Sequence, residues 1–215
     1  MKALLSLGLI AAAMTFCNLA DRLKQVTGNG DGANRSVNSG PGSPSNNNSG
    51  QTKGDVAEMS PSQRAIADSA AETAWNEQGI SWRLPVGWKK MDVKKEMFNY
   101  SGPDGTFLLV NISPLPDNFP METSMNAYYE QAMQQLKNGK YQSAKITEID
   151  GVMGVEFIEA PPEEKNGIRR HQWIGYREYL GQKQQVNVMT TTSGSKFDKH
   201  NDAFTAIMYS AAFTK

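Results

Sequence analysis

The sequence is poor in the residues that build disulfide frameworks and metal sites. It has one cysteine and two histidines in 215 residues. One cysteine excludes an intramolecular disulfide and a zinc site made of four cysteines. The 22 basic and 22 acidic side chains leave no net charge, which argues against nucleic-acid binding because such proteins usually carry a basic excess.

Long apolar runs are also scarce. The mean hydropathy of −0.54 excludes a protein that crosses a membrane several times. Residues 3–14 are mostly apolar and follow Lys2, but they are too short to span about 30 Å of hydrocarbon as a helix. A basic start followed by a run of this length is typical of a secretory signal. We therefore predict that residues 1–20 are a signal peptide or lipoprotein signal; a buried N-terminal helix, the alternative, would need a polar face that the stretch lacks.

Cys17 lies just behind this apolar stretch. Its position resembles that of the lipidated cysteine of bacterial lipoproteins, although Phe16 is larger than the small residue that precedes the cysteine in those signals. Ordinary cleavage near Ala20 and an uncleaved anchor are the alternatives. Because a lone cysteine in an exported protein calls for an explanation, we predict Cys17 as the lipid attachment site.

Residues 21–59 are predicted to form a flexible linker. Within 27–54, 20 of 28 residues are Gly, Ser, Asn or Pro. Such a stretch buries too little apolar surface to offset the entropy of the chain. By the scaling of Gly-rich chains it would span about 30 Å, enough to hold a domain away from a membrane.

An alanine-rich helix is predicted over 60–79. Ser60 is a suitable cap, Pro61 suits the first helical position and Gln63 completes a capping box. Because its apolar face is narrow, we expect the helix to dock on the following domain through Ile66 and Trp75.

Residues 80–215 are predicted to form one α+β domain. Asp-Gly pairs at 104–105 and 150–151 are strong hairpin markers, and residues of period two flank both. Helical spacing over 121–136 and 196–212 supplies two helices. The order βββ, α, ββββ, α with short turns favours a mainly antiparallel sheet of six or seven strands. The large core residues are expected to be Trp82, Trp88, Phe107, Phe157 and Trp173, the last with a sheet edge as its alternative.

Four motifs in the right order resemble PsbP-like domains. They are ISWRLPVGWKKM at 80–91, FNYSGPDGTFLLVNISP at 98–114, EIDGVMGVEFIEA at 148–160, and Phe204, Ile207 and Ser210 at the closing helix. The resemblance implies an α/β/α sandwich, a fold shared with Mog Ran-binding proteins and DcrB-like bacterial envelope lipoproteins. It also implies a non-enzymatic protein that stabilises or assembles larger complexes, and the envelope lipoproteins agree best with the N-terminal residues.

Catalytic and metal chemistry find little support in the sequence. His171 lies in a predicted strand and is expected to face solvent. His200 lies near Asp198 and Asp202, but residues two apart do not share a helix face, so no metal or catalytic site is predicted. Ser193 and the two residues after it read as a cap and loop, since a nucleophile elbow needs G-x-S-x-G after a strand.

Basic residues cluster on the two longest predicted strands: Arg169, Arg170, Arg177 and Lys183, with Glu178 among them. They are interpreted as a solvated sheet edge, with a patch for a partner or lipid head groups as the alternative.

The sequence thus predicts a secreted or periplasmic, non-enzymatic accessory protein, tethered to the membrane at Cys17. It would bind a protein partner in the cell envelope and use no cofactor. The alternative is a small-ligand carrier with an apolar pocket between the last helix and the sheet.

Overall fold

The computed structural model describes residues 54–164 and 166–214. The predicted signal, Cys17 and most of the predicted linker lie outside the described residues. Among the helices in the described part, none is long and apolar enough to cross a membrane.

Within these residues the chain forms three helices and eleven strands. The helices are α1 (Pro61–Ser69), α2 (Met121–Lys137) and α3 (Gly194–Tyr209). The strands are β1 (Asp55–Val56), β2 (Ala71–Trp75), β3 (Ile80–Leu84), β4 (Lys89–Lys94), β5 (Met97–Ser101), β6 (Phe107–Pro114), β7 (Tyr141–Ile149), β8 (Val152–Glu159), β9 (Ile168–Tyr179), β10 (Gln182–Ser193) and β11 (Ala212–Phe213). Short 3-10 turns cover Asn76–Gln78 and Pro103–Gly105.

The strands form two sheets. The large sheet has the order β1-β7-β8-β9-β10-β6-β5-β4, and the small sheet has the order β11-β3-β2. All pairs are antiparallel except β1 with β7. The predicted α+β class and the mainly antiparallel sheet are confirmed, but the expected number of six or seven strands is wrong. Short strands and the lysine-rich β4 have little apolar periodicity, which is why the sequence did not indicate them.

Helices cover both faces of the large sheet. On one face Trp173 of β9 packs in a cluster with Ile207 and Met208 of α3 and with the small sheet. On the other face Tyr176 of β9 packs in a second cluster with Met125 of α2. Because alternate strand residues point to opposite faces, β9 contributes to both clusters. The described domain is therefore the α/β/α sandwich that the resemblance implies.

Three of the five expected large core residues are buried. Trp82, Phe157 and Trp173 are, whereas Trp88 and Phe107 are only partly buried. Trp173 lies between β8 and β10 and not at a sheet edge. Its indole fits because Gly154 and Gly175 lack side chains: a Cβ on either would come within 2.5 Å or 2.1 Å of the ring.

The helix predicted over 60–79 is wrong beyond Ser69. Its start is as expected, since Ser60 and Gln63 form a capping box. Residues 71–75 instead form β2, which pairs with β3. Trp75 is almost fully buried against Trp82 and Phe98. Burial of this large ring outweighs the small helix preference of the alanines beside it.

The folded domain also begins earlier than residue 80. β1 pairs with β7, and β2 is a strand of the small sheet. The last residues of the predicted linker, from Asp55 onward, therefore belong to the domain. The boundary at 80 was wrong because two-residue and alanine-rich strands have no clear sequence pattern.

Candidate functional site

β9 carries most of the buried ionisable residues in the described part of the chain. Its odd-numbered residues from Arg169 to Arg177 are buried, with Trp173 in their middle. The expectation that His171 faces solvent is wrong, because its side chain is 1% exposed. Trp173 two positions later points to the same covered face. The expected solvated sheet edge is wrong as well, since β9 and β10 are central strands and Arg169 and Arg177 are buried.

The first buried cluster surrounds Glu156, and we call it the Glu156 network. Nε2 of His171 lies 2.8 Å from one carboxylate oxygen, and the hydroxyl of Thr147 donates to the other at 2.7 Å. The hydroxyl of Tyr209, from α3, lies 2.9 Å from both. Lys145 donates to that hydroxyl at 2.9 Å, and its ammonium lies 3.5 Å from the carboxylate. The carboxylate is thus held by four side chains of its own chain.

The network keeps Glu156 charged in the interior. Burial alone raises the pKa of a carboxyl group. Here the hydrogen bond and charge of His171, with Lys145 and Thr147, outweigh burial and lower the pKa of Glu156 to about 2. Burial and the adjacent carboxylate raise the pKa of Tyr209 above its ordinary value. A carboxylate and a phenol shifted in these directions do not exchange protons near neutral pH, which favours a structural role.

Arg169 is buried and its charge is balanced. Nη1 donates to Asp198 at 2.9 Å, Nε donates to the carbonyl of Glu159 at 2.8 Å, and Nη2 donates to Gln142. The guanidinium also lies 4.3 Å above the ring of Phe197. Arg169 therefore joins α3 to three strands of the sheet.

Arg177 is buried in a different environment, which we call the Arg177 network. Nε donates to Oε1 of Gln184 at 3.2 Å, and Nη2 donates to the carbonyl of Gln78. Gln184 donates in turn to the side chain of Gln78 at 3.1 Å, and Gln78 donates to the carbonyl of Lys95. Burial lowers the pKa of Arg177 to about 10, so the guanidinium remains charged at neutral pH.

Gln78 and Gln184 also line a cleft at one end of the large sheet. This hairpin-end cleft has a volume of about 230 Å³. It lies among the 3-10 turn Asn76–Gln78, the tip of the β4–β5 hairpin and the tip of the β9–β10 hairpin. Its wall includes Ile112 and the 87% exposed Leu180. A neighbouring cavity of about 410 Å³ shares Lys95, Glu96 and Ile112 with it.

The exposed groups near the start of α3 do not form the metal site that their residue types suggest. Within the described ranges, no group of three His, Cys, Asp or Glu side chains has the arrangement of a metal site. His200 faces Asp104 at 3.2 Å, and Lys199 donates to the same carboxylate at 2.6 Å. These contacts lower the pKa of Asp104, Lys199 most of all. They tie α3 to the turn between β5 and β6.

The remaining sequence candidates lie apart from the two networks. Ser193 precedes α3 as its cap residue. Arg170 points to the opposite face of β9 and pairs with Glu159 at 2.7 Å. Lys183 donates to the carbonyl of Phe119. The basic residues thus do not gather into one patch.

Sequence reasoning missed Glu156, Thr147 and Tyr209, and it missed the two glutamines. One pattern could have identified the buried arginines and His171: they occupy alternate positions around Trp173, which was expected to be in the core. Glutamines and a threonine give no comparable pattern, because their burial depends on which strands become neighbours.

Comparison with known proteins finds similar solved structures but no matching sequence family. No family model matches the sequence, and no curated protein matches it. A crystal structure from Bacteroides thetaiotaomicron VPI-5482 is similar with a TM-score of 0.44 and 16% identity, over 68% of this chain and 49% of that chain. The present chain therefore spans about half the length of that protein.

A second similar structure is the solution structure of cyanobacterial PsbP from Synechocystis sp. PCC 6803. Its TM-score is 0.43 and its identity 15%, over 69% of this chain and 94% of that chain. Its name is that of the family that the sequence motifs resemble.

Proposed function

We propose that this protein is an exported, non-enzymatic accessory protein, tethered to a membrane through Cys17, whose folded domain binds a protein partner in the cell envelope. The observation that carries the proposal is the order of segments along the chain. An apolar stretch comes first, then a cysteine, then a Gly/Ser/Asn-rich segment, and then a domain with its own core from Asp55 onward. This order suits a domain that is held near a membrane while it searches for a partner.

The state of the buried ionisable groups supports a non-enzymatic role. A catalytic carboxylate or histidine needs access to substrate and a pKa near the working pH. Glu156 instead accepts hydrogen bonds from its own chain, and α3 covers it with Tyr209. The resemblance to PsbP-like domains implies accessory proteins of the same kind.

The small-ligand carrier is less well supported. That alternative places an apolar pocket between α3 and the large sheet. Trp173, Ile207 and Met208 are completely buried in this interface, and they belong to one continuous cluster. The described cavities named above lie at the hairpin end of the sheet instead.

Fractionation and crosslinking test the proposal. We expect the parent protein to sediment with membranes and the Cys17→Ser variant to be released, both with the same folded domain. Crosslinking in intact cells should capture a defined envelope protein with the parent chain. Recovery of both forms in the cytoplasm, or no specific crosslinked partner, would contradict the proposal.

A further inference from the structure

Arg177 carries a buried charge that no described carboxylate neutralises. Its side chain is 6% exposed, and no ion pair within the described part of the chain includes it. Arg169, on the same face of the same strand, pairs with Asp198. Burial of an unpaired ion is costly, and buried arginines usually have a partner. Within the described residues, only neutral and aromatic groups therefore compensate the charge of Arg177.

The present partners of Arg177 compensate the charge only in part. The guanidinium lies 4.6 Å from the ring of Tyr179 and 5.3 Å from that of Phe213. Two neutral oxygens, of Gln184 and Gln78, accept from Nε and Nη2. Nη1 is buried and has no hydrogen-bond partner in the described residues. Arg177 is therefore surrounded by two aromatic rings and two neutral oxygens, and none of these groups carries a negative charge.

We propose that the hairpin-end cleft binds one carboxylate group attached to a small apolar group, with Arg177 providing the opposite charge. Gln184 and Gln78 line this cleft and hydrogen-bond to Arg177 directly. The guanidinium does not itself line the cleft; it lies behind these two side chains, and its charge acts on a bound anion from there. The free carboxyl end of a peptide and a small organic acid share this chemistry.

The lining of the cleft sets the size and charge of the ligand. A volume of about 230 Å³ suits a group of a few heavy atoms and not a large cofactor. Ile112, Pro114 and Leu180 supply apolar contacts beside the polar wall. Glu77 and Glu96 line the outer part of the cleft with exposed side chains. The ammonium of Lys95, which also lines the cleft and is exposed, offsets one of these two charges. The remaining negative charge opposes a second negative charge on the ligand, so the site should prefer a monocarboxylate.

Nuclear magnetic resonance titration of the full chain tests this inference without a mutation. Butyrate is the probe, butyramide is its neutral analogue and succinate is a dianion, all at matched ionic strength. We expect saturable shifts of the Arg177 Nε–H and of the Gln78 and Gln184 amide groups with butyrate, and none with butyramide. Equal shifts with butyramide, or shifts that rise linearly without saturation, would overturn the proposal.

Substitutions of the two buried arginines test whether the charge of Arg177 contributes to binding. We expect Arg177→Met to weaken butyrate binding at least about tenfold, because the opposite charge behind the cleft wall is removed. Arg169→Met, the matched removal of a paired buried arginine, should leave binding unchanged; the reverse pattern would contradict the proposal. If Arg177→Met does not fold, Arg177→Lys retains the positive charge and should still bind butyrate in preference to butyramide; loss of that preference would contradict the proposal.

A short peptide with a free apolar C-terminal residue and its amidated form distinguish the two sources. Tighter binding of the free-acid peptide than of butyrate would identify a chain terminus, and equal or weaker binding would identify a small acid. A carboxylate ligand would specify what the domain of the proposed function recognises, and it does not require that the protein be exported. Failure of the butyrate titration would leave lipidation of Cys17 untouched, and an unlipidated Cys17 would leave the cleft untouched.

Discussion

Glu156 keeps its charge in the interior because four neighbouring side chains supply donors and positive charge. Its pKa of about 2 lies well below the ordinary value of 4.5. A carboxyl group whose pKa falls on folding stabilises the folded state at pH values above its ordinary pKa. This stabilisation is lost as the pH drops from that value toward the folded pKa, because the unfolded chain then binds the proton first.

Glu156→Gln should therefore remove much of the acid sensitivity of the domain. For the parent protein we expect the free energy of unfolding to fall as the pH decreases from about 5 to 2. Glu156 accounts for about 3 kcal/mol of this decrease in the free energy of unfolding, as calculated from the size of its pKa shift. Urea denaturation at a series of pH values measures this slope. Glu72→Gln, which changes an exposed carboxyl group on β2, is the control; a slope that is the same in all three proteins would contradict the role given to Glu156.

At the scale of elements, hairpins were more predictable than short strands. Residues 150–151 form the turn between β7 and β8 with positive φ at Asp150 and Gly151, as an Asp-Gly pair favours. α2 lies where its apolar spacing predicts. The helix predicted over 196–212 is wrong at its end, because α3 ends at Tyr209 and Ala212 belongs to β11, which pairs with β3. β2 was not predictable, because alanines and a glutamate favour a helix locally and only the tertiary contacts of Trp75 favour a strand.

Threonine substitutions test whether residues 71–75 form a strand or a helix. Ala74 is exposed on β2 and Ala65 is exposed on α1. Threonine is favoured in strands and disfavoured in helices. We expect Ala74→Thr to leave stability unchanged or raise it by a few tenths of a kcal/mol, and Ala65→Thr to lower it by about 0.5 kcal/mol. Thermal denaturation measures both. A clear loss for Ala74→Thr would indicate that 71–75 is helical.

The packing of Trp173 on the paired strands β8 and β9 depends on two glycines that face its ring. Gly154 and Gly175 are paired across the two strands. A Cβ at Gly175 would come within 2.1 Å of the Trp173 ring, and the ring is enclosed on all sides. The sequence indicated the tryptophan as core but did not show which residues make room for it.

Gly175→Ala should destabilise the domain by about 1–3 kcal/mol, the usual cost of overpacking. Because the added methyl group meets the indole ring, Trp173→Phe should cost less in the Gly175→Ala background than in the parent. Chemical denaturation of the four proteins of this double-mutant cycle measures the coupling. Additive costs would show that the two residues do not compete for the same space.

At the scale of the whole molecule, apolar periodicity predicts the core, whereas contacts between residues far apart in the sequence form the polar networks. The α+β class, the sandwich and most of the core follow from apolar periodicity, because the buried faces of long strands and helices repeat regularly. The Arg177 network and the hairpin-end cleft do not follow from it, because they join the turn at 76–78 to β9 and β10, about a hundred residues later. Such a site depends on the fold of the complete domain.

The central claim is that an exported domain is held to a membrane through Cys17. Mass spectrometry of the mature chain isolated from membranes tests this claim most directly. We predict a chain that begins at Cys17 and carries the mass of a diacylglyceryl group. A chain that begins downstream near residue 21, or one that retains residues 1–16 with an unmodified cysteine, would contradict it.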